Sequence, residues 1–243
     1  MVNVASQPGA ANVANAVANN VRYQGRKASR QGSEQRRQEI LDAAMRIVVR
    51  DGVRGVRHRA VAAEAGVPLS ATTYYFKDIE DLLADTFARY VERSAEYMAK
   101  LWETTEAILL DLIAEGDGSP AAKGRLADEI AQMVTDYVRK QVASRRDYLM
   151  AEQAFRQEAL LTPRLAGLVV DYQAILLSGA CQILRVLGSA QPEQDAQVLS
   201  AVIAHMEYQA LLEAELPPNE QLPASDPSLA TMTRYMHLVM ASA

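Results

Sequence analysis

Gly66–Leu83 reads GVPLSATTYYFKDIEDLL, with two adjacent tyrosines and a phenylalanine between a glycine turn and an acidic cluster, in a chain only 6% aromatic. Just before it, residues 57–65 have the length and composition of a short helix, and residues 68–75 form a second candidate after Gly66-Val67. Two short helices around a glycine turn make a helix-turn-helix candidate. Ala62, four residues ahead of Gly66, is small enough for the helices to cross closely, and Gly66 takes the positive φ that a sharp turn requires. Val61 and Val67 fill the small core beneath. Asp78 then caps a following helix, with Glu80 and Asp81 in its first turn complementing the helix dipole. Leu82, Leu83, Phe87, Tyr90 and Val91 form that helix's apolar stripe, onto which Phe76 is expected to anchor the head. The carboxylates therefore mark a helix start, not a catalytic pair.

Upstream, a helix is expected from Ser33, with Ile40, Ala44, Ile47 and Val48 on one face, ending at Asp51-Gly52 with Gly52 in a left-handed closing position. Downstream, helices are expected over about 78–114 with a break near 95–100, then over 121–142, 145–160, 164–187, 193–215 and 228–242. No β-type alternation competes, so the chain is expected to be all-α. Residues 1–32 lack an apolar period and end in Arg22, Arg26, Lys27 and Arg30, the pattern of a disordered basic arm. The expected division is this arm, a helix-turn-helix domain over 33–80 and a helical regulatory and dimerisation domain over 81–243.

The net charge of −5 conceals a split. Residues 1–77 carry 12 Lys+Arg against 5 Asp+Glu, or +7, and residues 78–243 carry 13 against 25, or −12. A basic head favours a polyanion and an acidic remainder repels one, so nucleic-acid contact is expected in the head alone. Cys181, the single cysteine, cannot form an internal disulfide and sits among apolar helix neighbours as an inert core residue. No apolar run approaches the roughly 20 residues of a membrane helix. The amino terminus lacks the pattern of a signal peptide, so a cytoplasmic protein without membrane contact is expected. His58, His205 and His237 are far apart, and no metal, phosphate-loop or nucleophile-elbow motif occurs. The reading is therefore of a protein with no catalytic residues, metal or cofactor.

Arg37-x-x-Ile40-Leu41-x-Ala43-Ala44, Gly52, Val61-Ala62-x-x-Ala65-Gly66-Val67 and Tyr74-Tyr75-Phe76-Lys77-x-x-x-x-Leu82 together resemble the tetracycline-repressor (TetR) family of transcriptional regulators, over about residues 35–85. The resemblance implies an all-α homodimer with an N-terminal three-helix bundle carrying the helix-turn-helix, and a C-terminal helical ligand-binding and dimerisation domain. The chain departs from the family at Arg57-His58, where a threonine is usual, at Thr72-Thr73, where leucine then tyrosine is common, and at Ile79, where a lysine is frequent.

A recognition helix in a major groove brings short side chains to base edges and hydroxyls to phosphates. Leu69, Ser70, Ala71 and Thr73 are the groove-facing candidates, Tyr74 and Tyr75 suit phosphate, and Lys77, Arg57, His58 and Arg59 add contacts near the backbone of the duplex. Pairing of two heads is expected; the resemblance implies helices about 164–187 and 193–215 as the dimer interface, where Ser178, Gly179 and Ala180 allow close approach. Tyr97, Met98, Trp102, Met133, Tyr137, Tyr148, Phe155 and Tyr172 are the candidates for an apolar effector pocket. The expected function is a ligand-responsive regulator, a repressor released from its DNA operator by a small apolar or amphipathic molecule. The alternative is a ligand-independent dimeric DNA-binding protein.

Overall fold

The computed structural model describes residues 23, 25, 31–217 and 227–242, so the arm expected over 1–32 lies almost entirely outside the described residues. Nine α-helices run through the described residues: α1 Gln31–Asp51, α2 His58–Ala65, α3 Leu69–Tyr75, α4 Ile79–Glu115, α5 Pro120–Ser144, α6 Arg146–Ala159, α7 Pro163–Val186, α8 Pro192–Glu213 and α9 Pro227–Ser242. No strand occurs among the described residues, and the fold is all-α.

Local chemistry explains the boundaries. Gly66 closes α2 at φ 66°, ψ 30°; its own N–H reaches the Ala63 carbonyl at 3.2 Å and that of Val67 reaches Ala62 at 3.0 Å. This is the paired closure that a left-handed residue permits. Gly52 differs from the sequence expectation: its φ is 74° but its ψ is 173°, outside the left-handed helical region, and a 3-10 turn, Val53–Gly55, follows directly. Asp78 caps α4 by accepting from the Asp81 N–H at 2.8 Å. The Ser119 hydroxyl caps α5 by accepting from Ala122 N–H at 3.1 Å, with Pro120 in the first turn.

The break expected near 95–100 is absent, and α4 is continuous from Ile79 to Glu115. No glycine or proline interrupts those residues. Small residues there, Ser94, Ala95 and Ala99, are buried, so the polar sequence around them belongs to a helix with one narrow inward face.

The described residues fall into two compact units: one combines those up to Tyr97 with Asp147–Ala174, and the other combines Met98–Arg146 with those from Ile175 onward. In the first unit, Ile40, Leu41, Ile47 and Val61 are fully or almost fully buried, as are Phe76 and Leu82. Burying Phe76 completely contributes on the order of 2 to 3 kcal/mol, consistent with its expected role as the anchor of the head. An aromatic cluster continues this core: Phe87 lies 4.8 Å from Phe155 and 5.8 Å from Tyr90, and Tyr90 lies 5.6 Å from Tyr172 between ring centroids.

In the second unit, Leu109 of α4, Ile130 and Val138 of α5, Cys181 and Leu184 of α7, and Leu199 and Met206 of α8 form one core with Met232, Met236 and Val239 of α9. Burial raises the Cys181 thiol pKa, which suits the packing role expected of it. α7 contains a window of mean hydropathy 1.4 and is long and apolar enough to cross a membrane, more than the sequence reading allowed. Its apolar residues are divided between the two cores: Leu165 and Tyr172 are buried in the first unit, Cys181 and Leu184 in the second.

Candidate nucleic-acid interface

α3 has two chemically distinct sides. Thr72 and Tyr75 are buried, whereas Leu69, Ser70, Thr73 and Tyr74 are exposed, Leu69 to 43% and Tyr74 to 53%. The exposed set follows i, i+1, i+4, i+5, which is one face of a helix, and exposed Lys77 continues it. Ala71 is half-buried.

The two tyrosines divide roles. The Tyr75 ring packs inward, and its hydroxyl shares a 2.8 Å hydrogen bond with the Ser33 hydroxyl at the start of α1. Tyr74 stands edge-on to it, with centroids 5.1 Å apart, and keeps about half its surface in solvent. The Thr72 hydroxyl donates to the Leu69 carbonyl at 2.8 Å, so this buried threonine is satisfied within its own helix.

Arg57 and Arg59 are exposed at the start of α2, and no side chain caps that terminus. His58 is half-buried, and its Nδ1 has no hydrogen-bond partner among the described residues. It lines a hollow of about 410 Å³ with Val56, Leu83 and Glu158. The head is tied together by shared carboxylates: Glu64 of α2 accepts from Arg46 at 2.8 Å and from Arg50 at 3.2 Å, both on α1.

A buried anchor beneath the head escaped the sequence reading. Arg37 of α1 donates to the Asp85 carboxylate of α4 at 2.6 Å, with the two side chains 3% and 0% exposed. The Gly25 N–H donates to the same carboxylate at 2.9 Å, and the Arg37 guanidinium lies 4.4 Å from the centre of the Tyr23 ring. The Tyr23 hydroxyl donates to Glu92 at 2.7 Å. The hydrogen-bonded partners are 48 to 69 residues apart in sequence, beyond the range of any helical period. The only local signal was a glycine and a tyrosine inside an otherwise small and polar arm.

The eight residues expected to line an effector pocket separate into two groups. Phe155 and Tyr172 are buried in the aromatic cluster of the first unit, and Tyr148 lies 5.9 Å from Tyr90 beside it. The Tyr90 hydroxyl donates to Glu152 at 2.7 Å; burial first, then the Glu152 carboxylate and Tyr172, push this phenol well above its ordinary pKa. Tyr97, also of that unit, is half-buried. In the second unit the Tyr137 hydroxyl contacts the Met98 sulfur at 3.9 Å, and Met133 packs on the core. Trp102 fills the space that Gly179 leaves by lacking a side chain.

A separate cavity of about 280 Å³ opens in the first unit, lined from α1, α4 and α6. Asp42 on its wall accepts from Arg89 at 2.7 Å and from Arg93 at 3.1 Å. Burial works against the Asp42 anion, but the hydrogen bond and charge of Arg89, with those of Arg93, hold its carboxyl below the usual pKa range.

Comparison with known proteins bears on the head most directly. The sequence pattern described as bacterial regulatory proteins, tetR family, matches residues 40–86. An HTH-type transcriptional regulator, PksA, of Bacillus subtilis (strain 168), is 39% identical over 51 residues. That match covers 21% of this chain and only a quarter, 25%, of the relative's length. The fold is similar to that of a transcriptional regulator from Rhodococcus sp. Rha1, at 18% identity and a TM-score of 0.52, over 84% of this chain and 95% of the other. It is likewise similar to a protein assigned to the TetR-family transcriptional regulators from Rhodococcus sp., at 18% identity and a TM-score of 0.50, over 85% and 99% of the two chains. With a helix-turn-helix closed by Gly66 and a family match across the same residues, the head of the chain, residues 40–86, is similar to the tetR family of bacterial regulatory proteins.

Proposed function

We propose that the chain is a DNA-binding transcriptional regulator that acts as a homodimer and responds to a small apolar or amphipathic effector, which releases it from its operator. The observation that carries this reading is α3, whose exposed face offers Leu69, Ser70, Thr73 and Tyr74 while its opposite side is locked into the core. Short hydroxyl and apolar side chains suit base edges and thymine methyls, and Tyr74, Lys77, Arg57 and Arg59 suit phosphates. Tyr75, with its hydroxyl turned to Ser33, positions the helix rather than meeting the duplex. His58, half-buried in its hollow, is assigned a lesser part than its arginine neighbours.

Dimerisation is assigned to α7 and α8. Val198 and Leu212 of α8 are 47% and 45% exposed, and half-buried Val202 continues the same helical face, an apolar stripe consistent with a partner helix. Ile175 of α7 and Leu211 of α8 are buried within their own chain. A cytoplasmic location and repression as the mode of action follow as part of the same proposal. The alternative, dimeric DNA binding without an effector, draws support from the tight packing of Trp102, Phe155 and Tyr172.

The test is binding of the full chain to duplex fragments from its own upstream region across a salt series. Preferential binding to one fragment is expected, weakening steeply as salt rises because phosphate contacts release counterions. Tyr74→Ala and Lys77→Ala should lower affinity for all fragments, and Thr73→Ala should reduce the preference among them. Equal, weak binding to every duplex would overturn the proposal.

A further inference from the structure

The 280 Å³ cavity of the first unit has a lining that balances neither in charge nor in polarity. Its charged residues are Arg46, Arg89 and Arg93 against Asp42 and Asp147, three positive to two negative. The imbalance is concentrated at two positions. Arg89 holds Asp42 through both of its carboxylate oxygens, at 2.7 and 3.2 Å, in the bidentate geometry that a guanidinium and a carboxylate form best. Arg93 must therefore share an anion already engaged, and its side chain is 41% exposed. Arg46, one turn beyond Asp42 on α1, similarly shares Glu64 with Arg50 and is 55% exposed. The remaining wall is apolar or aromatic: Met45 and Val49 from α1, Tyr90 from α4, Tyr148 and Ala151 from α6.

We infer that this cavity binds a small organic monoanion, a carboxylate with an aromatic or short aliphatic body, its head on Arg93 and Arg46 and its body against Met45, Val49 and Tyr148. The volume lies near the lower end for ligand pockets, about 300 to 1,000 Å³, which restricts the body to a small one. Asp147 on the same wall disfavours a dianion such as a phosphate monoester. The inference rests on the regulator reading and deepens it by naming the seat and class of an effector. Such a ligand touches α1 of the DNA-reading head, the connecting α4 and α6 together, so it acts on the head without passing through the second unit's core. It shifts the head only by the difference in its affinity for the DNA-competent and released arrangements.

The test is calorimetric titration of the full chain with benzoate and hexanoate, with benzyl alcohol and benzylamine as neutral and cationic controls. Saturable binding of at least one acid is expected, with the controls much weaker. Arg93→Gln should weaken the acid at least about tenfold, the loss expected for one charge-assisted hydrogen bond. Val49→Phe, which fills the cavity from a half-buried position, should abolish binding. Both variants should keep the helical circular dichroism and the ligand-free DNA affinity of the parent. Binding of neither acid, equal binding of acid and amine, or acid binding untouched by both substitutions would overturn the inference. Because the readout is the free protein, its failure alongside intact operator binding leaves the regulator reading standing, whereas absent operator binding overturns that reading separately.

Discussion

Gly167 and Gly179 both lie within α7, yet replacing each by alanine should shift stability in opposite directions. Alanine in a helix interior is favoured over glycine by about 0.8 to 1 kcal/mol, since it restricts the unfolded backbone and exposes less peptide to water. At Gly167 an added Cβ meets nothing within 4 Å, so Gly167→Ala should stabilise by about 0.5 to 1 kcal/mol. At Gly179 the added Cβ would sit 2.2 Å from Cζ2 of Trp102 and 2.4 Å from Cε2 and Cη2. Carbon atoms settle at about 3.5 to 4 Å, so the indole would have to move by about 1 Å or more. Trp102 is only 6% exposed and has little room to do so. Overpacking of this kind costs about 1 to 3 kcal/mol, and the severity of the overlap points to the upper end. Subtracting the propensity gain leaves a net loss of about 2 kcal/mol for Gly179→Ala. Trp102 is the sole tryptophan, so its emission during urea unfolding reports directly on the contact, with circular dichroism as an independent probe at matched protein concentration. Adding Trp102→Leu to Gly179→Ala should recover much of the loss through a favourable coupling in the double-mutant cycle. If Gly179→Ala stabilised the protein as Gly167→Ala does, the close approach of Trp102 to this glycine would be refuted.

Two further outcomes follow from the head. Gly66→Ala should cost about 1 to 2 kcal/mol from left-handed backbone strain alone, since its Cβ also meets nothing within 4 Å. Gly66→Asn should recover much of that, and equal denaturation midpoints for the two variants would contradict the strain argument. Asp85→Ala should destabilise by about 3 to 5 kcal/mol, because it leaves the buried Arg37 guanidinium, among the described residues, with the half-exposed Glu34 alone as an anion. Replacing both Arg37 and Asp85 by leucine should cost less than Asp85→Ala alone, measured by urea unfolding; a larger cost in the double variant would oppose the buried-charge account.

Where a property depended on neighbours along the chain, the sequence was enough. Helix periodicity, Asp78 as a cap, Gly66 as a left-handed closure and the helices of the second half were all legible, because caps and amphipathic stripes are set within four residues. The exceptions were instructive: a break is expected near 95–100, but small buried residues carry α4 through it, and Gly52 keeps a positive φ without the left-handed ψ.

By itself the sequence determined an all-α chain with a basic head and a helix-turn-helix that resembles a known family, since each of these is written in local order and composition. Tertiary structure alone decided that Tyr75 turns inward to Ser33 while Tyr74 stays out, that Gly179 admits Trp102, and that Arg37, Asp85, Tyr23 and Gly25 meet beneath the head. It alone collected the arginines around the cavity of α1, α4 and α6. Those contacts join residues many tens of positions apart, and only the packing of one helix against another fixes which side chains share a carboxylate or a void.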